Sequence, residues 1–197
     1  NNSSYTYIDY FFKRATGFMD VVCYSGNGAA QALDHNLGVT PELMIVKARV
    51  VDGWFVYSGV NTDYLRLDTT AASGSASVVW NNTSPTASVF TVGTNESASA
   101  VAYVAYLFAT LAGVSKVGSY TGTGADLNVD CGFSAGARFI LIKRTDSSGD
   151  WYVWDSVRGI TAGNDPYWLL NSSAAEVTST DYIDPLSSGF TVTSSAP

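Results

Sequence analysis

The sequence contains little charge, and few of its charges are positive. Only 14% of the 197 residues are Asp, Glu, Lys or Arg, against about 25% in typical soluble domains. Ten basic residues are outnumbered by 17 acidic ones, which gives a net charge of −7. A surface that binds nucleic acid needs Lys and Arg clustered opposite the phosphates. The charge balance therefore argues against nucleic acid as a partner.

Cysteine, histidine and long apolar runs are also scarce. Cys23 and Cys131 are the only cysteines and His35 is the only histidine, so we expect neither a disulfide framework nor a Cys/His metal site. The most apolar stretch, residues 101–114, is 14 residues long and contains two tyrosines. That is too short to span a bilayer. We expect no membrane insertion, no metal and no cofactor.

Aromatic residues and glycine are plentiful instead. The chain has 12 Tyr, 9 Phe, 5 Trp and 18 Gly. Aromatic residues favour strands, and Gly, Asn and Ser favour the turns between them. Short apolar runs recur about every ten residues, which is typical of a sandwich or barrel, and no segment has a sustained helical period with caps. The sequence therefore predicts an all-β protein.

The two halves of the chain match each other in order. Residues 7–29 align with residues 103–125 at a shift of 96, and both contain Tyr-Ser/Thr-Gly-x-Gly. Later blocks match at shifts of 96, 97, 103 and 100; they are 41–48 with 137–144, 54–58 with 151–155, 64–72 with 167–175, and 89–92 with 189–192. Changes of shift between blocks are typical of loop insertions. We predict two tandem homologous β-sandwich-like repeats, residues 13–112 and 113–197.

Residues 1–12 stand before the first repeat and contain a strand-like segment, "YTYIDYFF" (5–12). It matches the strand that closes the first repeat, "AYVAYLFA" (102–109), whereas the second repeat stops at "FTVTSSAP" without such a strand. Two interpretations stay open. The segment is the last strand of a preceding repeat in a longer protein, or it completes the sheet of the second repeat. Since an unpaired strand edge promotes aggregation, we expect that edge to be covered.

Two glycine motifs resemble functional motifs but lack the required context. The Gly-x-Gly pairs at 26–28 and 122–124 have neither the third glycine nor the helix that a dinucleotide-binding loop needs. "GFSAG" (132–136) spells the nucleophile elbow of α/β-hydrolases, but a strand follows it and the only histidine lies upstream. We predict turns at all three places. No catalytic residue is assigned, and we expect the protein not to be an enzyme.

The tryptophans are the remaining candidates for binding. "WFVY" (54–57) and "WYVWD" (151–155) are apolar on both faces of a strand, which predicts burial on both sides. The second cover is then the other repeat or another subunit. Alternatively, flat rings stack on sugars. The candidate residues for binding a glycan or a protein partner are Trp54, Trp80, Asn81, Asn82, Trp154 and Trp168.

Several blocks, taken in order, carry a resemblance to a known family. They are "SVFTVG", "YVAYLFATLAGVSKVGSYTGTG", "GARFILIKRTDSSGDWYVWDSVRGI" and "GNDPYWLLNSSAAEV". These blocks resemble a repeat domain of tail fibre and other structural proteins of tailed bacteriophages, many of them marine or cyanobacterial. The resemblance covers residues 5–197 and supplies no catalytic residues.

The resemblance implies a structural component of the phage virion. It would be a domain of a tail fibre or related appendage involved in attachment to the host surface, made in the host cytoplasm and extracellular once mature. The implied partners are other virion tail proteins, further copies of the chain (a homotrimer by analogy with fibres) and a glycan or protein of the host surface. A purely architectural spacer or docking domain is the alternative. A tailspike-like glycan hydrolase is a further one, with Asp150 and Asp155 or Asp165 and Asp181 as its carboxylates.

Overall fold

Sixteen short elements make up the fold in this computed structural model, which describes residue 4 and residues 7–197. The first ten are β1 (Met19–Ser25), β2 (Gln31–Asp34), β3 (Leu43–Ala48), β4 (Trp54–Tyr57), β5 (Asp63–Arg66), β6 (Gly74–Ser75), α1 (Ser77–Trp80), β7 (Val89–Val92), a 3-10 helix (Asn95–Ser97) and β8 (Ala102–Phe108). The others are β9 (Leu127–Asp130), β10 (Phe139–Lys143), β11 (Trp151–Asp155), β12 (Trp168–Leu169), β13 (Ile183–Leu186) and β14 (Gly189–Val192). The prediction of an all-β protein is confirmed.

The first unit is sandwich-like. Six strands form one sheet in the order β1-β8-β3-β4-β5-β6, and β2 pairs with β7 in a second sheet. Alternate side chains of β3 and β8 point inward, as the period of two along a strand requires, and meet Phe90 and Val92 of β7. Helix α1 adds Val79 and Trp80 to the same core. Apolar burial between the two sheets therefore holds this unit together.

The second unit has two three-stranded sheets, β10-β11-β12 and β13-β14-β9. Its core contains Ile140, Trp154, Ile183 and Phe190. Tyr152 and Tyr167 pack against the Trp154 ring, and Tyr182 packs against both of these tyrosines, in stacked, tilted and edge-on pairs. This core is smaller and more aromatic than the first, which suits a unit built from shorter strands.

Three strand pairings of the first unit recur in the second unit in the register that the sequence alignment requires. The pairing of β3 with β4 and of β4 with β5 recurs as the pairing of β10 with β11 and of β11 with β12. The pairing of β2 with β7 recurs as the pairing of β9 with β14. The matching pairs of opposed residues are Lys47–Trp54 and Lys143–Trp151, Val56–Leu65 and Val153–Trp168, and Gln31–Val92 and Leu127–Val192.

The two units pack back to back through the outer faces of these strands. The contact is a third apolar cluster, whose members are Leu43, Ile45, Val56, Leu65 and Leu67 of the first unit and Leu141, Trp151 and Leu170 of the second. The Nε1–H of Trp151 donates to the carbonyl of Arg66 at 2.8 Å. The prediction that residues 54–57 and 151–155 are covered on both faces is confirmed, and the second cover is the other unit.

The aligned halves differ where strand β8 lies in the first unit. There β8 sits between β1 and β3 and pairs with both. The counterpart of β1, residues 115–121, forms no strand. Its partner would be a counterpart of β8, which the structure does not contain among the described residues. A strand without a partner leaves its backbone groups unpaired, so the segment stays irregular.

Residues 7–14 are irregular rather than a strand, in contrast to the strand that the sequence predicted for residues 1–12; residues 1–3, 5 and 6 of that prediction lie outside the described part of the chain. The glycine motifs do form turns. Gly28 and Gly124 have left-handed φ values of 83° and 75°, which glycine adopts without strain. In "GFSAG", Gly132 and Gly136 also have positive φ, and strand β10 follows.

Candidate functional site

Five exposed apolar side chains form a patch beside the start of β10. They surround a depression of about 220 Å³ whose rim also includes Asp9 and Arg138. The members of this apolar patch are Ile8, Phe11, Phe12, Phe139 and Val157. Phe11 is 91% exposed and Val157 is 85% exposed. Because contiguous exposed apolar surface commonly marks an interaction site, the apolar patch is the leading candidate for a functional surface.

Tyr10 anchors the segment that carries most of the apolar patch. Its hydroxyl donates to Asp155 Oδ2 at 2.8 Å and accepts a hydrogen bond from Trp168 Nε1 at 3.2 Å. The rings of Tyr10 and Trp168 are nearly parallel with centroids 6.2 Å apart. These contacts tie an irregular segment to β11 and β12, so Phe11 and Phe12 are held at a defined place.

Asp155 is the centre of the polar network under the apolar patch. It lies at the end of β11, is 3% exposed, and accepts hydrogen bonds from the backbone N–H groups of Val157 and Arg158 and from Arg158 Nε. Burial alone raises the pKa of a carboxyl. Here the hydrogen bonds and the Arg158 charge outweigh burial and hold the pKa of Asp155 below its ordinary value. Asp155 is therefore ionised at neutral pH and acts as a structural group in this network.

Arg158 extends the same network to the surface. Its Nη1 donates to Glu176 Oε1 at 2.7 Å, and its guanidinium lies 6.0 Å from the Trp168 ring centroid. Burial by itself lowers the pKa of Arg158, but the hydrogen bond to Asp155 and neighbouring charges raise it overall. Because every group of the network already has a partner, the network positions the apolar patch rather than offering free polar groups to a ligand.

The apolar patch also touches the first unit. The Phe12 ring lies 5.6 Å from Phe139, 6.1 Å from Phe108 and 6.5 Å from Phe18, measured between centroids. Phe18 and Phe108 belong to the first unit and Phe139 to the second. The patch therefore lies across the junction of the two units.

Two of the predicted stacking tryptophans have no free ring face. Trp80 is 0% exposed, meets Tyr57 edge-on, and donates its Nε1–H to the carbonyl of Asp63 at 3.0 Å. Trp154 is 2% exposed and stacks on Tyr152. Burial of both rings in the two cores argues against a role in sugar stacking for either residue, because a sugar needs an accessible face.

The other predicted residues are accessible but lie apart in the fold. Trp54 is half-buried at the start of β4, with Lys47 Nζ 6.0 Å from its ring centroid. Asn81 and Asn82 are exposed in the turn after α1, both with left-handed φ. Trp168 is half-buried under Tyr10 in the second unit. Asn81 and Asn82 thus keep their amides exposed, although the neighbouring Trp80 ring points into the core.

The nominated carboxylates do not form a cleft. Asp165 is 0% exposed and its Oδ1 accepts hydrogen bonds from the backbone N–H groups of Tyr182 and Ile183. Burial raises its pKa, but a fully buried carboxyl cannot contact a polysaccharide. Asp150 accepts a hydrogen bond from Asn171 Nδ2 at 2.7 Å, and Asp155 is committed to Arg158. Neither nominated pair flanks an open groove of the kind that glycoside hydrolysis needs.

The described part of the chain is residue 4 and residues 7–197. In this part of the chain no group of three or more His, Cys, Asp and Glu side chains is placed to hold a metal ion. Cys23 and Cys131 are both free thiols. A search of the same residues for a helix with the length and apolarity of a membrane span finds none.

Sequence reasoning missed the apolar patch. It assigned residues 5–12 to a strand, for which alternate burial is expected, and gave no weight to the adjacent Phe11 and Phe12. The available signal was the pair of consecutive phenylalanines, because two neighbouring residues of a strand cannot both point to the same face. The partner of Tyr10, Asp155, lies 145 residues away, and no local pattern connects the two.

Comparison with known proteins gives one family. No curated protein matches the chain, and no solved structure matches it. A family model described as a domain of unknown function, DUF7483, matches residues 5–197. The chain therefore belongs to the DUF7483 domain family.

Proposed function

We propose that this chain is a non-enzymatic structural domain of a bacteriophage virion, part of a tail fibre or related tail appendage that contributes to attachment to the host surface. The sequence blocks that resemble tail fibre repeats support this assignment, and they span the same residues as the DUF7483 match. The observation that carries it in the structure is the apolar patch. A surface holding Phe11 at 91% exposure is suited to be covered in an assembly.

The proposed occupant of the apolar patch is a second copy of this chain. Asp9 and Arg138 lie on the rim of the same depression and carry opposite charges. Two patches facing each other can therefore pair Asp9 of one copy with Arg138 of the other while burying the aromatic rings between them. Other virion tail proteins are further proposed partners of the assembled domain. Two like patches facing each other form a dimer, so the homotrimer expected by analogy with fibres would have to use a different surface.

We predict that Phe11→Ser weakens self-association. Removing a 91%-exposed ring costs the folded chain little, but it removes the most prominent apolar contact of the proposed interface. Sedimentation velocity over a range of concentrations is expected to show oligomers of the wild-type chain and about tenfold or more weaker association of the variant.

Val51→Ser is the matched control for this experiment. Val51 is also fully solvent-exposed but lies outside the apolar patch, so its replacement is expected to leave association unchanged. The proposed interface would be contradicted if Phe11→Ser and Val51→Ser both self-associated as strongly as the wild type does. It would also be contradicted if the wild type were monomeric at every concentration.

Attachment is proposed to use many weak contacts. Trp54, Asn81, Asn82 and Trp168 are the accessible candidates for glycan contact, and single contacts of this kind gain strength when several copies act together. Beads carrying many copies of the labelled chain are expected to bind host cells, and Trp54→Ala with Asn82→Ala is expected to reduce that binding. Folded copies that bind no host cells would favour the spacer instead.

The architectural spacer is the second candidate, and one observation favours it. Trp80 and Trp154, two of the four nominated stacking tryptophans, are buried in the cores. Gold-labelled antibodies against the domain, viewed on intact particles by electron microscopy, distinguish the two roles. Label at a fibre tip would favour attachment, and label along a shaft or on the tail body would favour the spacer. Label on the head alone would contradict both.

A further inference from the structure

Strand β10 has a partner on only one edge within the described residues. It pairs with β11, whereas β3, the strand aligned with it, lies between β8 and β4. The open edge of β10 therefore presents backbone N–H and C=O groups without a strand partner. An edge of this kind is a ready template for an added strand.

The opening beside β10 corresponds to one missing strand. In the first unit β8 fills the equivalent place, with Leu43 opposite Phe108 on one side and Met19 opposite the same residue on the other. In the second unit the segments aligned with β3 and β1 are β10 and residues 115–121, and among the described residues no strand pairs with residues 115–121 or with the open edge of β10. One added strand would thus supply partners to both segments.

The chain's own residues 7–12 do not fill this place. They lie against Arg138, Phe139 and residues 155–157, at the end of the β10–β11 pair, and Tyr10 is tied to Asp155 and Trp168. Those two partners belong to β11 and β12, on the side of β10 away from its open edge.

Composition also disfavours residues 7–12 as the missing strand. At the shift of 96, Asp9 takes the position of Ala105, which is 0% exposed in the core of the first unit. Placing the Asp9 carboxylate there would bury a charge facing the apolar core of the second unit, at a cost of several kcal/mol unless it finds a partner.

We propose that the open edge of β10 binds an extended polypeptide segment that is not part of residues 1–197, which inserts antiparallel between β10 and residues 115–121 in the register that β8 has against β3. The chemistry of the segment follows from β8. Its inward positions hold Tyr103, Ala105 and Leu107, all nearly fully buried. The partner strand therefore carries an aromatic, a small and a large aliphatic residue at alternate positions, without charge at the centre. This inference does not depend on the location of the domain in a virion.

The test uses the full chain and a synthetic peptide with the β8 sequence, residues 101–109, flanked by lysines for solubility. Saturable binding is expected by titration, because β8 has the pattern that this edge fits. Hydrogen exchange is expected to slow at residues 139–143 and 115–121 and to stay unchanged at β2 and β7. A peptide with Ala105→Asp is the matched control and is expected to bind about tenfold or more weakly.

Three results would overturn the proposal. The first is absence of binding, or equal binding of both peptides. The second is binding that slows exchange only at residues 7–12, which would place the peptide on the apolar patch. The third is slow exchange, without peptide, of those amides in residues 139–143 that do not bond to β11. If that protection is independent of concentration, the chain's own segment fills the edge; if it grows with concentration, a second copy does.

Discussion

Trp151→Ala is expected to lower the free energy of unfolding by about 3–5 kcal/mol, the range for truncating a large buried aromatic side chain. Trp151 is 3% exposed and belongs to the apolar cluster between the two units. Its removal leaves a cavity at that contact and also removes the hydrogen bond to the Arg66 carbonyl, which keeps only the 3.4 Å bond from the Thr69 backbone N–H. Chemical denaturation followed by circular dichroism measures the change.

Two variants separate the causes. Trp151→Phe keeps most of the apolar surface but loses the indole N–H, so a loss of about 1 kcal/mol is expected from the missing hydrogen bond to the Arg66 carbonyl. Trp54→Ala is the matched control, because Trp54 is the aligned residue of the first unit but is only half-buried. A loss at Trp151 no larger than the loss at Trp54 would contradict a stabilising contact between the two units.

The free energy of unfolding is expected to fall by about 3 kcal/mol as the pH rises from about 4.5 to 8, because Glu96 loses its proton over this range. The Glu96 side chain is 0% exposed. Its Oε1 accepts a hydrogen bond from Asn95 Nδ2 at 2.7 Å, whereas its Oε2 finds no partner among the described residues. Burial raises the pKa of Glu96 from 4.5 to about 7; Asp52 adds to the rise, while Asn95, Arg66 and Lys47 reduce it.

The sign follows from proton binding. Between the unfolded pKa of 4.5 and the folded pKa of about 7, the folded chain binds more protons than the unfolded chain, so raising the pH favours unfolding. Asp20 and Asp155 act in the opposite sense, because their folded pKa values are lowered. Their contribution is lost only as the pH falls below about 4, so the two effects occupy separate pH ranges.

The variant Glu96→Gln isolates the contribution of Glu96 to the pH dependence of the free energy of unfolding. The neutral amide keeps the shape and an acceptor for Asn95, so this variant is expected to lose less stability than the wild type from pH 5 to 8 and to exceed the wild type at pH 8. A remaining fall is expected from Asp165, because burial raises its pKa as well. Asp34→Asn, which neutralises an exposed carboxylate, is the control and should keep the wild-type slope. Parallel pH profiles of wild type and Glu96→Gln would contradict the buried, raised-pKa state of Glu96.

The strands were predictable because their sequences alternate or are apolar on both faces. Residues 54–57 and 151–155 show why: two apolar faces require two covers, and the structure supplies them. Trp80 was less predictable. The run "SVVW" forms a single helical turn, and one turn is too short for any periodicity to separate a core residue from an exposed one.

The candidate site was mostly beyond sequence reasoning. The alignment did suggest that residues 5–12 and the edge of the second repeat are related, and the open edge of β10 follows from the same comparison. The apolar patch depends instead on where an irregular segment lies. Tyr10 meets Asp155, Arg158 and Trp168 from a distance of about 150 residues in sequence, and such contacts are set by tertiary packing.

The back-to-back cluster limits how units of this kind can accumulate. Ile45 and Leu141 are aligned residues, as are Leu67 and Leu170, and all four lie in the one cluster between the units. A face that packs against its own counterpart is consumed by the first partner it meets. Among the described residues both copies of this face meet in the one cluster, so neither copy is available to pack against a further partner.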